Sequence, residues 1–484
     1  MIKWGISANS HDAALAVFDN DELVFASHSE RFSRKKNDRD LCKDMVQYAR
    51  RWGEPSRVYW YENPYKKTLR QLLAGQGWKW DSNNIKKYLQ QWDINVPITY
   101  TDHHHSHAAA GYFTSGFTDA CVVVIDAIGE FETLTIWRAE GCRLNRVYSK
   151  RYPHSLGLFY SAMTQRIGLT PNEDEYILMG MSAYGDDRYY NRIKEDFVKD
   201  INTYTFKENL HRGCMHWAPD LIVNDSFDIA HATQHIYEDF FKQILQHAST
   251  LVPSDNLVLM GGCALNCLAN RLTGDFFDNT WIMPNPGDAG SAVGTVLAHS
   301  KKQIKFNPFI GYDMFHQSTD EEIVNYLEDK KICGVARGRA EYGPRALGNR
   351  SLLADPRGQD IKDKVNAIKQ RQEFRPFAPV ILEELCSQYF NMPNNWDNSR
   401  YMQVVAHCRH PDLFPAIVHR DGTSRVQSVP NDGSPIRKLL ELWFKKTGCP
   451  MLLNTSLNIK GQPMVNNMDD AIKFEDQYAV KVFN

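Results

Sequence analysis

Lys3-Trp-Gly-Ile-Ser-Ala-Asn-Ser-His-Asp-Ala-Ala-Leu-Ala-Val-Phe18 reads as strand, tight polar loop and strand, with Asp19-Asn-Asp21 as a hairpin turn before Leu23-Val-Phe-Ala26. A polar loop slung between two such strands is the kind that faces phosphate in two-lobed nucleotide-binding folds. A second strand-loop-helix unit follows at Leu257-Val-Leu-Met-Gly-Gly-Cys-Ala-Leu-Asn266. There Gly261 and Gly262 let backbone N–H groups approach a phosphate, and the next helix adds its N-terminal dipole. A Gly-Gly pair standing alone also reads as a simple turn. Around residues 299–312 the chain becomes polar, with Pro and Gly, which predicts a linker and two domains, 1–304 and 313–484.

At 484 residues the chain exceeds one ordinary core. Hydrophobic content of 43% with 24% charged residues fits a globular enzyme, and a net charge of -2 argues against a strongly basic nucleic-acid scaffold. The ten cysteines are scattered without C-x-x-C pairs, which reads as reduced thiols, with Cys263 and Cys267 as packing residues. The amino terminus lacks a basic-then-apolar leader and no stretch approaches bilayer length, so a cytoplasmic protein with no membrane partner is expected.

Residues 102–107 read Asp-His-His-His-Ser-His, and the apolar run Cys121-Val-Val-Val-Ile125 delivers Asp126 into Ala-Ile-Gly-Glu130. On a helix, His103 and His107 project from one face and can chelate one ion. Asp126 would sit at the end of a buried strand, and Asp288, in Asn285-Pro-Gly-Asp-Ala-Gly290, could complete the set. Two imidazoles with two carboxylates and open positions suit Fe(II), Mn(II) or Zn(II) better than a closed structural zinc site. The competing reading is a histidine patch on the surface or in the core; three independent segments weigh against it. His104 and His105 are bystanders on either reading.

Beyond the linker, arginine and lysine punctuate Gly338-Arg-Ala-Glu-Tyr-Gly-Pro-Arg345, Gly348-Asn-Arg-Ser351, Lys369-Gln-Arg371, Phe374-Arg-Pro-Phe-Ala-Pro379, Asp421-Gly-Thr-Ser-Arg-Val-Gln427 and Asn454-Thr-Ser-Leu-Asn458. Guanidinium groups clamp phosphate or carboxylate bidentately, and Ser and Asn side chains finish such cradles. Ordinary surface charges are seldom embedded among Gly, Pro and aromatics, so a phosphate or nucleotide pocket is expected here.

Taken together, His11-Asp-Ala-Ala14, Glu30-Arg-Phe-Ser-Arg-Lys-Lys36, Asp102-His-His-His-Ser-His-Ala108, Gly261-Gly-Cys-Ala-Leu-Asn266, Gly343-Pro-Arg-Ala-Leu-Gly-Asn-Arg-Ser351 and the motifs at 374–379 and 454–458 resemble the nodulation-factor and cephem O-carbamoyltransferases, in the right order over nearly the whole chain. The resemblance implies an α/β protein. Its first domain would be an actin- and Hsp70-like two-lobed fold similar to the tRNA threonylcarbamoyl-transfer protein. Its second would be an α/β domain similar to threonylcarbamoyl-adenylate synthase.

It also implies two reactions: carbamoyl phosphate and ATP form carbamoyl-adenylate in the second domain, and the carbamoyl group passes to an acceptor hydroxyl in the first. On the matching positions, Arg345, Arg375 and Arg425 would hold phosphoryl oxygens and Lys369 would neutralise developing charge. Ser456 and Asn458 would orient the carbamoyl group, and Gly261, Gly262 and Asn266 would contact the nucleotide. His103, His107, Asp126 and Asp288 would hold a divalent metal, Fe(II) first and Mn(II) or Zn(II) next. His11 would be the general base for the acceptor, with Asp12 capping its loop.

The chain departs from the family pattern at Ala127, where a glycine is usual, and at Ile177, where lysine is usual; it is also shorter than antibiotic-type members. Family acceptors include sugar hydroxyls, hydroxymethyl cephems and, for a compact viral branch, 5-hydroxymethylcytosine. Trp78 and Trp80 beside Lys66, Lys67 and Lys79 make hydroxymethylated DNA or nucleotide an expected acceptor, with a small natural-product or sugar hydroxyl as the alternative. A tRNA threonylcarbamoyl-type enzyme and a non-catalytic Hsp70-like nucleotide sensor are the competing functions. A homodimer is one expected assembly.

Overall fold

Trp4 and Ile6, both fully buried, anchor β1 (Ile2–Ser7) at the middle of a five-stranded sheet. β2 (Ala14–Asp19) and β3 (Glu22–His28) extend it as an antiparallel meander, turning at Asn20 with φ 55°. On the other side β4 (Arg57–Trp60) and β5 (Ile98–Tyr100) run parallel to β1, giving the order β3-β2-β1-β4-β5. The computed structural model describes residues 1–219, 221, 225–315, 317–372, 374, 375 and 377–484, so Pro376 of the motif at 374–379 lies outside the described residues.

The same topology recurs further on. β6 (Asp119–Ile125), β7 (Glu132–Glu140) and β8 (Arg143–Arg151) form a second meander, and β9 (Asn256–Met260) and β10 (Asn279–Trp281) add in parallel, in the order β10-β9-β6-β7-β8. α1 (His103–Ser115) packs on β6 and β9, α2 (Ser226–Leu251) packs on β6 as well, and α3 (Ser291–Ser300) packs on β1 and against α1. Cover on both faces is why residues 121–125 are apolar without alternation. Two glycines permit the approach of α3: a Cβ on Gly294 would lie 1.8 Å from the Ser106 carbonyl oxygen, and one on Gly5 1.9 Å from that of Ala292. Two like sheets with helices between them are the two-lobed actin- and Hsp70-type architecture.

The second unit is built on a six-stranded mixed sheet of β11 (Ile332–Ala336), β12 (Arg350–Ala354), β13 (Ala378–Leu382), β14 (Gln427–Val429), β15 (Met451–Ser456) and β16 (Val482–Phe483), in the order β14-β13-β15-β12-β11-β16. Its inner strands are antiparallel and its two edge strands parallel to their neighbours. α4 (Ile361–Lys369) leads toward the end of β15, and α5 (Arg437–Thr447) packs on β13 and β15 through the fully buried Trp443.

The first compact unit comprises Met1–Ser29 with Asn37–Phe306, and the second comprises Glu30–Lys36 with Asn307–Asn484. The short segment at Glu30–Lys36, early in the sequence, therefore belongs to the second unit. Arg31 donates to the Gly343 carbonyl at 3.0 Å, and Arg34 donates to the carbonyls of Met464 and Pro463 at 2.6 and 3.0 Å and pairs with Asp470 at 3.2 Å. Arginine donors on loop carbonyls, not hydrophobic pattern, place this segment. All ten cysteines are free thiols, and among the described residues no helix is long and apolar enough to cross a membrane.

Candidate active site

α1 starts at His103 and runs to Ser115, and Gly116 after it takes the left-handed conformation that stops a helix cheaply. Asp102 precedes it as N-cap, yet its carboxylate makes no capping bond and pairs with Lys66 Nζ at 2.6 Å. The cap comes from a distance. Glu130, 1% exposed, accepts the His103 amide at 3.1 Å on each oxygen and the Asn63 amide at 2.7 Å. Burial, reinforced by Glu62, pushes the Glu130 carboxyl up to about 7. Nothing local in the sequence assigns Glu130 this role; its only signal is a carboxylate closing the short loop that Asp126 opens.

Helical spacing directs His103 and His107 to one point. Their Nε2 atoms lie 3.1 Å apart. His103 Nε2 is 3.3 Å from both Asp126 Oδ2 and Asp288 Oδ1, and His107 Nε2 is 3.1 and 3.4 Å from the same two oxygens. Asp126 ends β6 as expected, and its other oxygen accepts the Ala127 amide at 2.7 Å. Asp288 opens a short turn, Asp288–Gly290, that leads into α3. All four ligand atoms lie within 4.8 Å of one another.

Burial opposes charge on both rings, but Asp288 and Asp126 outweigh it and hold His103 well above the usual imidazole range and His107 above it. Conversely, burial would raise both carboxyls, yet the imidazoles hold Asp126 and Asp288 well below the usual carboxylate range. Two nitrogens facing each other across two carboxylates need positive charge between them, supplied by protons or by one cation. The N2O2 donor set fits a borderline divalent ion. The Nδ1 atoms of both rings find no partner among the described residues, so packing against Tyr61, whose ring lies 5.2 Å from that of His103, and against Gly129 sets their orientation.

His104 and His105 stand outside the cluster. His104 Nδ1 meets Thr135 Oγ1 at 2.9 Å, and burial together with the charge on His103 drives it well down. His105 stacks on Trp137 at 5.3 Å and is lowered to about 4 by burial.

The glycine turn after β9 adjoins the same cluster. Gly261 has φ 91° and a Cβ there would meet the Ile125 carbonyl oxygen at 2.1 Å, while a Cβ on Gly262 would lie 3.3 Å from Asp126 Oδ1. Asn266 is turned inward: its amide exchanges hydrogen bonds with Gln234 at 3.0 and 3.2 Å and accepts the Ala269 amide at 3.1 Å. His11 is half-buried with Nε2 3.0 Å from the Asn172 carbonyl. Beside it Asp12 does more than cap: it holds His28 Nδ1 at 2.9 Å, and His28 Nε2 accepts from Asn285 at 3.0 Å, three residues before Asp288. No local pattern pointed to His28, because the chain joins these residues only in three dimensions.

Ile177 is 1% exposed, so a lysine at this position would bury its charge here. Lys67 is buried against Glu62 at 2.7 Å and Lys66 is taken by Asp102, which removes two of the cations expected beside the tryptophans. Trp78 is 68% exposed, and Trp80 stacks on Tyr65 at 5.0 Å.

In the second unit, Lys369 ends α4 and is 4% exposed. Its Nζ donates to the Ser456 carbonyl, to Ser456 Oγ at 3.0 Å and to Asn458 Oδ1 at 2.6 Å, and Ser456 Oγ donates to the same amide oxygen at 2.6 Å. Burial, then the charges of Arg371 and Arg375, hold Lys369 well below the usual lysine range. A desolvated lysine near two guanidiniums, hydrogen-bonded to hydroxyl and amide groups, has the donor chemistry that suits an anion. Arg425 ends the strand Thr423–Arg425 with its Nε buried and without a hydrogen-bond partner among the described residues.

Arg345 lies half-buried in a loop braced from behind. Glu341 Oε1 accepts the amides of Leu347, Asn349 and Arg350 at 2.7, 2.9 and 3.2 Å. Arg350, the other arginine of that motif, is fully buried and donates to the carbonyls of Arg337, Gly338, Tyr312, Asn349 and Asn466. Burial lowers it to about 10; it is a structural charge that closes the unit around the loop.

The carbamoyltransferase N-terminus family model matches residues 56–297 and the carbamoyltransferase C-terminus model matches residues 324–483. An uncharacterized protein of Synechocystis is 30% identical over 97% of this chain and 93% of its own. The nodulation protein NolNO of Sinorhizobium fredii is 28% identical over 96% of this chain and 76% of its own. The 3'-hydroxymethylcephem-O-carbamoyltransferase of Amycolatopsis lactamdurans is 26% identical over 96% and 94% respectively. Among solved structures, full-length HypF in a phosphate- and nucleotide-bound form aligns over 62% of this chain and 46% of its own, with 12% identity and a TM-score of 0.35.

Proposed function

Since the chain belongs to the carbamoyltransferase family, we propose that it is an ATP-dependent O-carbamoyltransferase that takes its carbamoyl group from carbamoyl phosphate and delivers it to an acceptor hydroxyl. The observation that carries this reading is the pairing, in one chain, of an anion cradle at Lys369 with a buried His2Asp2 cluster.

In the first half-reaction carbamoyl phosphate, ATP and water yield carbamoyl-adenylate, pyrophosphate and phosphate. Lys369 stabilises negative charge on the phosphoryl oxygens, and Ser456 and Asn458 orient the carbamoyl end. Arg345, Arg375 and Arg425 neutralise the phosphates; the Nε of Arg425 is a donor available to one of them. In the second half-reaction the acceptor oxygen attacks the carbamoyl carbon and AMP leaves. His11 accepts the hydroxyl proton, Gly262 leaves the space beside Asp126 open to the adenylate, and Gly261 lets the turn pass against the Ile125 carbonyl. A divalent ion, Fe(II) first and Mn(II) or Zn(II) next, held by His103, His107, Asp126 and Asp288, would supply Lewis acidity at the adenylate phosphate.

The acceptor is proposed to be the 5-hydroxymethyl group of hydroxymethylcytosine in DNA or nucleotide, supported by the exposed Trp78 and the stacked Tyr65–Trp80 pair. The test is anaerobic incubation with Fe(II), ATP and isotopically labelled carbamoyl phosphate. Hydroxymethylated DNA, an aminoglycoside and a hydroxymethyl cephem are offered as acceptors, and product masses are read. Label on the hydroxymethyl base supports the DNA acceptor, and label on a small molecule replaces it with metabolite tailoring. AMP formation that requires threonine and bicarbonate instead of carbamoyl phosphate would overturn carbamoyl transfer in favour of a threonylcarbamoyl-type reaction.

A further inference from the structure

α2 carries two more histidines one turn apart, His231 and His235, whose ring centroids lie 4.0 Å from each other. Asp187, which opens the short turn Asp187–Tyr189, reaches both: its Oδ1 lies 3.3 Å from His231 Nε2 and 3.4 Å from His235 Nδ1. We propose that Asp187, His231 and His235 form a second metal site, for a divalent transition ion of the zinc class, distinct in its residues from the His103, His107, Asp126 and Asp288 cluster.

The tautomer leaves the inner nitrogen of His231 facing the carboxylate, as a ligand would. His231 Nδ1 is 2.7 Å from the Ser182 carbonyl oxygen, an acceptor only, so Nδ1 carries the proton. On a neutral ring Nε2 then presents a lone pair to a carboxylate oxygen, which is repulsive unless a cation lies between them. One proton on His231 Nε2, with His235 neutral and donating to the same Asp187 oxygen, is the metal-free state that an ion would displace. One divalent ion satisfies all three groups at once, and the Ser182 carbonyl is the outer partner that a metal-bound imidazole ordinarily has.

The neighbouring cation does not compete for Asp187. Arg188 is committed to Asp225 and Asp228 and lies over the Tyr189 ring at 4.9 Å. The Asp187 side chain is 75% exposed and that of His235 44%, so a fourth position is open to water and the ion exchanges freely. The turns Ser182–Tyr184 and Asp187–Tyr189 both pack on α2, so an ion here ties this stretch to the long helix. The role is that of a staple.

Metal-free full-length protein is titrated with Zn2+ against a chromophoric chelator, and with Co2+ followed by visible absorption. Wild type is expected to take up one equivalent more than His235→Ala. In Asp187→Asn the affinity for that equivalent should fall by at least about tenfold, the scale at which loss of an outer partner alone weakens a site. The same equivalent should survive in Asp126→Asn, which perturbs the other cluster. Far-UV circular dichroism checks that the exposed substitutions leave the fold intact. Equal stoichiometry and equal affinity in wild type, His235→Ala and Asp187→Asn would overturn the proposal, as would loss of the equivalent in Asp126→Asn alone.

Discussion

Replacing Lys369 by methionine separates what the buried ammonium does for folding from what it does for chemistry. Its Nζ donates to three acceptors, the Ser456 carbonyl, Ser456 Oγ and Asn458 Oδ1. Hydrogen bonds to a charged donor are worth about 1.5–3 kcal/mol each, but taking the ammonium out of water costs several kcal/mol, so the two nearly cancel. Stability at pH 7 should then change by no more than about 2 kcal/mol. The pH dependence is more diagnostic. Burial, Arg371 and Arg375 lower the folded-state pKa, so the native protein sheds this proton before the unfolded chain does.

Between the folded value and the unfolded value of about 10.4, the unfolded state binds more protons and stability rises with pH, by up to about 1.4 kcal/mol per unit. Below the folded value the destabilisation is present in full. Lys369→Met should lack this slope. Inorganic phosphate, by stabilising the ammonium, should flatten it in wild type. Urea denaturation of both proteins from pH 7 to 10 measures it, and superimposable profiles would refute the reasoning. Carbamoyl-phosphate-dependent AMP and pyrophosphate release should meanwhile fall by about a hundred- to a thousandfold, as for loss of a preorganised charge-stabilising donor.

Three further outcomes are expected. His107→Ala and Asp288→Asn should each lower tightly bound Fe(II) by one equivalent in elemental analysis of protein reconstituted without oxygen, while His104→Ala should leave the metal content unchanged. Glu130→Gln keeps the shape but weakens the acceptor of the His103 and Asn63 amides, so thermal unfolding should register a loss of about 1–2 kcal/mol. Arg350→Met leaves at least five carbonyl acceptors without their donor and should destabilise the second unit by about 3 kcal/mol or more, seen as an early unfolding transition or insoluble expression.

The strand-loop-strand opening, the buried run before Asp126 and the His-x-x-x-His spacing were legible because each is local: period, turn chemistry and helical pitch act within a dozen residues. Lys369, Ser456 and Asn458 stand in motifs that the sequence singles out, and the fold brings their side chains into one hydrogen-bonded group. Residues that act through the fold were not legible. Glu130 caps a helix that begins 27 positions earlier. Asp12 grips His28, and His28 grips Asn285, 257 positions away. Asn266, expected to contact nucleotide, spends its amide on Gln234, a partner on another helix.

By itself, then, the sequence determined the element types, the alternation of strand and helix and the side-chain chemistry on offer at His103, His107, Asp126 and Asp288, since these follow from residue type and short-range periodicity. Tertiary structure alone decided that Arg350, unlike its motif neighbour Arg345, is sealed behind carbonyls. It likewise decided that residues 30–36 belong with the distant carboxyl-terminal unit, and that His231, His235 and Asp187 meet at all. Those outcomes depend on desolvation and on pairing between groups far apart in the chain, and neither quantity exists until the sheets and helices have packed.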